Sequence, residues 1–174
     1  SSCHAASAAC MPHAILVDDD AEFLDGLSEL VRGDGFTIET AGTVAQAAAF
    51  GDVVVLATPW TATEAAIRAA GELTGKAVID CTNPLKSDIS GLELGFSTSG
   101  AERVAGWARG AKVFKAFNTT VSNNMANPVI NVMRTVMFIC GDDEAAKPAI
   151  LRLVEDVGFE AVDAGGRVVA GLLE

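Results

Sequence analysis

Residues 52–85 read DVVVLATPWTATEAAIRAAGELTGKAVIDCTNPL. Val53–Ala57 and Ala77–Ile79 are short, wholly apolar runs, and the stretch between them is expected to be a helix capped by Thr61 or Thr63. Strands this apolar belong to a sheet covered on both faces. The unit recurs outward from this stretch. Further apolar runs lie at Ala14–Val17, Val113–Phe117 and Val136–Cys140, with weaker strands at Phe36–Glu39 and Phe159–Val162 after Asp-Gly and Val-Gly turns. Phe23, Leu27, Leu30 and Val31 share one helical face; Ala101, Val104, Ala105 and Ala108 share another, and Ile150, Leu153, Val154 and Val157 a third. Asp20 is placed to cap the first of these helices and Asp142 or Asp143 the last, while Gly35 and Gly158 stand where left-handed helix ends are expected. Repeated β-α-β units predict an α/β fold with a doubly wound, mostly parallel sheet in three layers. Such a sheet is Rossmann-like, and residues 13–50 are equally suited to a flavodoxin-like β-α-β opening.

The chain has 174 residues, half of them apolar and one fifth charged, which suits one domain with a real core. Residues 13–174 are read as that domain, in segments 13–50 and 51–174, after a flexible tail at 1–12 in which Met11 looks like a start. No apolar run approaches the roughly 18 residues of a membrane span. Ser1–Cys10 lacks the basic start and apolar stretch of a signal peptide, so a soluble, cytoplasmic protein is expected. Residues 1–50 hold eight acids and one base, a charge of −7; the remaining −4 of the total −11 is spread over 51–174. Phosphate backbones need clustered Lys and Arg, so nucleic acid is excluded as a partner, and no membrane partner is expected. A homodimer is compatible with this surface, with Trp60 and Trp107 as its anchors or as core. Cys3, Cys10, Cys81 and Cys140 have no metal-ligand spacing, and Cys81 and Cys140, each ending an apolar run, are read as buried free thiols.

Folds of this class bind ligands in loops at the carboxyl ends of their strands. Those loops are Asp18–Asp20, Thr40–Thr43, Thr58–Thr61, Thr82–Leu85, Asn118–Asn124, Gly141–Asp143 and Ala164–Arg167. Thr82-Asn83-Pro84 and Asn118-Thr119-Thr120 stand out, each directly after an apolar strand. Their polar side chains suit a polar ligand, or simply cap the next helix.

Two resemblances meet in the chain. Residues 14–48, AILVDDDAEFLDGLSELVRGDGFTIETAGTVAQAA, resemble the opening of a response-regulator receiver domain in their consecutive acids and DGF turn. Residues 52–174 resemble the NADP-dependent oxidoreductases of coenzyme F420. The matching stretches are DVVVLATPW (52–60), GKAVIDCTNPL (75–85), TSGAERVA (98–105), GAKVFKAFNTT (110–120), MFICGDDEAAK (137–147) and DVGFEAVDAG (156–165). The second resemblance implies NADP and F420 as cofactors. It places Ala57, Thr58, Pro59, Thr82, Asn83, Pro84, Asn118 and Thr119 on the nicotinamide side of a dinucleotide cleft. Hydride transfer between two bound cofactors needs alignment more than an acid or base, so no catalytic residue is assigned.

The departures are as informative. A dinucleotide fold places G-x-G-x-x-G after its first strand so that the diphosphate meets bare backbone at a helix amino end. Asp18, Asp20 and Phe23 occupy those three positions, and no base follows Glu39 to meet a 2′-phosphate. The predicted consequence is weak or absent NADP(H) binding in a chain of chimeric character. The alternative is an active F420:NADP oxidoreductase. A receiver is the third reading, and it lacks its acceptor, because the third strand ends Leu56-Ala57-Thr58 without an Asp. Asp18, Asp19 and Asp20 are a candidate weak Mg²⁺ site, set against a solvated cap at a helix amino end.

Overall fold

The computed structural model describes residues 13–16, 37–40, 45, 48–49, 51–95 and 97–174. Its elements are β1 (His13–Leu16), β2 (Thr37–Thr40), β3 (Val53–Leu56), α1 (Trp60–Ala70), β4 (Ala77–Asp80), α2 (Gly100–Trp107) and β5 (Lys112–Lys115). There follow α3 (Ser122–Ala126), β6 (Val129–Ile130), β7 (Met133–Arg134), β8 (Val136–Gly141), α4 (Lys147–Asp156), β9 (Glu160–Gly165) and a 3₁₀ helix at Arg167–Leu172. β1 and β2 form a parallel pair, and the main sheet runs β3-β4-β5-β8-β9. The expected helix over Phe23–Val31, its Asp20 cap and Gly35 lie outside the described residues, as do Asp18, Asp19, Cys3 and Cys10.

Alternation along the central strands builds two cores on opposite faces of the sheet. Val78 and Val113 pack with Leu56, Ile67, Leu73 and Val104 under α1 and α2. Ile79 and Phe114 pack with Met137, Ile139, Ile150, Val154 and Phe159 under α4. All four residues of β4 are buried, which is why its sequence shows no polar alternation. The predicted three-layer, mostly parallel α/β architecture is therefore the observed one.

Several local expectations differ. β5 and β8 are antiparallel, the one reversed pair in an otherwise parallel five-stranded sheet, and the repeating pattern did not say where such a reversal would fall. After β5 the chain makes only the five-residue α3 and the β6–β7 hairpin. A helix of that length advances about 7.5 Å. The chain thus stays at the carboxyl end of β5 and enters β8 from there. Thr61 and Thr63 do not cap α1; Pro59 holds that position without a side-chain cap, and both threonines lie inside the helix. α4 begins at Lys147, with Ala146 and not Asp142 or Asp143 at its cap position, although Asp143 Oδ1 accepts from the Ala146 amide at its entry (2.8 Å). Asp142 instead accepts from the Arg167 amide (2.7 Å). Val157 is exposed, because α4 ends at Asp156 before the face returns to the sheet. Gly158 is left-handed as expected, at φ 109°. Cys140 is buried, but Cys81 is only half-buried.

Gly141 faces Phe114 across the antiparallel ladder. A Cβ built there would lie 2.8 Å from Phe114 Cε1, inside the ring's contact surface. Gly141→Ala is therefore expected to lower stability by about 1–3 kcal/mol by displacing a fully buried ring. Urea unfolding of the two proteins measures this directly.

Candidate functional site

β3, β4 and β5 are parallel neighbours, so the loops after Leu56, Asp80 and Lys115 leave the same edge of the sheet. Asp80 and Lys115 are register partners and fully buried. Lys115 Nζ lies 2.9 Å from Asp80 Oδ2 and 2.8 Å from Glu174 Oε1, and donates to the Thr82 carbonyl. The other oxygen of Asp80 accepts from the Thr82 amide (3.0 Å) and hydroxyl (2.7 Å). The Glu174 carboxylate accepts from the amides of Gly100 (2.8 Å) and Ala101 (3.1 Å), where the partial positive charge of α2 favours an anion. Glycine at position 100 leaves room for that approach, since a Cβ there would stand 2.9 Å from Glu174 Oε1 and push the carboxylate aside. Buried charges are costly unless paired and hydrogen-bonded, and all three are.

Above this cluster the two polar loops are tied together. Asn83 Nδ2 donates to the Asn118 carbonyl (3.0 Å), and Asn118 Nδ2 donates to Asn83 Oδ1 (3.0 Å) and the Leu173 carbonyl (2.6 Å). Phe117 brings the chain there in a left-handed conformation, φ 64°. Such a backbone costs an aromatic residue on the order of 1–3 kcal/mol. Its amide donates to Met137 Sδ (3.1 Å), and its ring meets Phe159 edge-on with centroids 6.1 Å apart. Asn118 is 8% exposed, and its Oδ1 is buried without a protein partner; the hydroxyl of half-buried Thr120 is in the same condition. Two unpaired polar atoms at the head of one strand are what a ligand with both a donor and an acceptor would satisfy.

The structure therefore joins Thr82, Asn83 and Asn118 into one network, with buried Pro84 beside it against Gly100. Ala57 and Pro59 are exposed at the head of the neighbouring strand, and Thr58 bonds within its own turn, Oγ1 to Thr63 Oγ1 at 3.1 Å. Thr119 is exposed and turns toward β8, its Oγ1 3.8 Å from Met137 Sδ. Among the described residues no cluster of three His, Cys, Asp or Glu could hold a metal; the proposed Asp18–Asp20 site lies outside them. Asp80, Lys115 and Glu174 were not among the sequence candidates. The available signal was an acid and a base, each closing an apolar strand in the same frame.

Burial pushes the Cys81 thiol up to about 12, helped by the neighbouring Asp80 carboxylate, and the Cys140 thiol up to about 11. A raised thiol stays protonated and unreactive below that value. Peptide mapping after maleimide treatment at pH 8 is expected to find both residues unlabelled in the folded protein and labelled in urea. Trp60 and Trp107 are half-buried and lie against each other, ring centroids 5.4 Å apart, packed on the α1–α2 core.

The sheet and its layers define a Rossmann-like, mostly parallel α/β fold, with a polar edge where the loops after β3, β4 and β5 gather. The model of a family described as "NADP oxidoreductase coenzyme F420-dependent" matches residues 4–84, a range that includes residues 14–48. The chain is 31% identical over 134 residues to an F420-dependent NADP reductase of Methanocaldococcus jannaschii, covering 74% of this chain. It spans 60% of that relative's length. Among solved structures it is similar to a putative F420-dependent NADP reductase from Arthrobacter sp. FB24, with TM-score 0.70 and 29% identity over 78% of this chain and 65% of that one. A hypothetical protein from Sinorhizobium meliloti gives TM-score 0.74 and 26% identity over 92% of this chain and 76% of the other. No described helix is long and apolar enough to cross a membrane.

Proposed function

We propose that this chain is the dinucleotide domain of an oxidoreductase that moves hydride between NADP(H) and the deazaflavin F420, with a built nicotinamide end and a deficient phosphate end. The observation that carries the first half is the unpaired, buried Asn118 Oδ1, with the unpaired Thr120 hydroxyl two residues further along the same loop. A nicotinamide carboxamide carries an NH₂ donor and a carbonyl acceptor, and these two atoms could receive both. When bound, the nicotinamide supplies or accepts the hydride. The chain's own contribution is to hold the ring and exclude water, with Thr82, Asn83, Pro84 and Asn118 as one wall and Ala57, Thr58, Pro59 and Thr119 at its rim.

The second half rests on sequence. Asp18, Asp20 and Phe23 stand where a diphosphate needs glycine, so NADP(H) binding is weak and activity low or absent. The receiver-like character of residues 14–48 supports a chimeric origin, but the family match spans those residues too, so this reading rests on the three side chains and not on their source. Similarity to F420-dependent NADP reductases favours the second reading, an active enzyme whose backbone amides replace the missing anchors.

Reduced nicotinamide mononucleotide tests the nicotinamide end by itself. Its fluorescence should respond to the protein, and Asn118→Leu, with the circular dichroism unchanged, should weaken that binding about tenfold, the order expected for a lost buried hydrogen bond. Equal binding by both proteins would remove Asn118 from the site.

A further inference from the structure

We propose that the buried Asp80–Lys115–Glu174 cluster biases this site toward the oxidised, positively charged nicotinamide. This rests on the nicotinamide reading above. Two carboxylates and one ammonium leave a formal charge of −1, and all three side chains are fully buried. In such surroundings water screens little of that charge. The partial positive charge at the start of α2, about half an elementary charge in a long helix, offsets only part of it. The Cys81 thiol beside Asp80, held neutral by burial, adds no charge of its own.

The cluster is coupled to the site by direct bonds. Asp80 and Lys115 hold the amide, hydroxyl and carbonyl of Thr82. Glu174 follows Leu173, whose carbonyl holds Asn118. A ring held by these loops therefore sits over an excess negative charge. Giving up a hydride, one proton and two electrons, takes the dihydronicotinamide from neutral to +1, so that charge favours the oxidised form. The second carboxylate is not required for pairing, because Asp80 already neutralises Lys115. Nor is its charge required for capping, since a neutral glutamine oxygen could also accept from an α2 amide.

The test uses the whole chain with oxidised and reduced nicotinamide mononucleotide, titrated separately. Glu174→Gln removes one charge at nearly constant shape. It should lower the preference for the oxidised form about fivefold, the order of effect for one charge through a partly screened site. Asp80→Asn, which removes the same charge from the other side of Lys115, should move the ratio in the same direction and serves if Glu174→Gln does not fold. A change of both affinities by one factor, or an unchanged ratio, would overturn the inference and leave the nicotinamide reading standing. Failure of either nucleotide to bind the unaltered chain would overturn both.

Discussion

Lys115→Met is expected to cost about 3–5 kcal/mol, the scale for a buried ion pair that loses one partner. Lys115 is the one cation within bonding distance of Asp80 and Glu174 among the described residues, and all three side chains are shielded from water. Without it two carboxylates remain about a buried apolar thioether, with only amides and a hydroxyl to solvate them. They must then ionise in a poor medium, take up protons, or open the structure to water. Because the last is the cheapest route for a strand end, the Thr82–Pro84 loop and the contact of the 3₁₀ helix with α2 should loosen together. Urea midpoints measure the loss. Neutralising both acids as well, as Asp80→Asn with Glu174→Gln in the Lys115→Met chain, should recover at least half of it, because the penalty belongs to the unpaired charges. A loss under about 1 kcal/mol for Lys115→Met alone would mean that the cluster is solvated and that the buried network is wrong.

The second large effect concerns the phosphate end. Replacing Asp18, Asp20 and Phe23 together by glycine should raise NADPH affinity by at least tenfold. Each carboxylate opposes a diphosphate charge by roughly 1 kcal/mol in water and about 4 at an intermediate dielectric, so removing two exceeds a decade even at the lower value. Glycine at position 23 also matches the third glycine of the G-x-G-x-x-G pattern, which that pattern uses for close approach. Affinity for reduced nicotinamide mononucleotide, which lacks the diphosphate bridge, should change by less than about twofold. That contrast separates a repaired phosphate site from a general change in fold. Calorimetry with both ligands gives the two numbers.

The layers were legible because they follow from periodicity alone. Ala77–Asp80 and Lys112–Lys115 had to be covered on both faces, whereas the equally apolar Val53–Leu56 leaves Val55 exposed at the end of the five-stranded sheet, and α2 declares its buried face in Ala101 and Val104. The reversal of β8 was not legible. Its strand is as apolar as a parallel one, and direction depends on how far the preceding connection carries the chain, which the five-residue α3 decides. The capping box of α2, in which Ser99 and Glu102 exchange hydrogen bonds across the first turn, is written in the sequence as S-x-x-E. At the site, Thr82, Asn83 and Asn118 were visible as polar residues directly after apolar strands. Glu174 was not, because nothing local connects it to a helix start 74 residues earlier. The same holds for Phe117, whose left-handed backbone is imposed by contacts with Met137 and Phe159 and not by its own preference.

The central claim is that the nicotinamide end of the cleft is intact while the phosphate end is not. It is tested most directly by titrating the unaltered chain with NADPH and with reduced nicotinamide mononucleotide under one set of conditions. An intact phosphate end makes the dinucleotide far tighter than its half; a lost one makes them nearly equal. The expected result is measurable binding of both, with affinities within about threefold, since ionic and hydrogen-bonded anchors worth several kcal/mol would otherwise separate them by orders of magnitude. Micromolar NADPH binding with a mononucleotide a hundredfold weaker would contradict the claim and make the chain an ordinary NADP-binding domain.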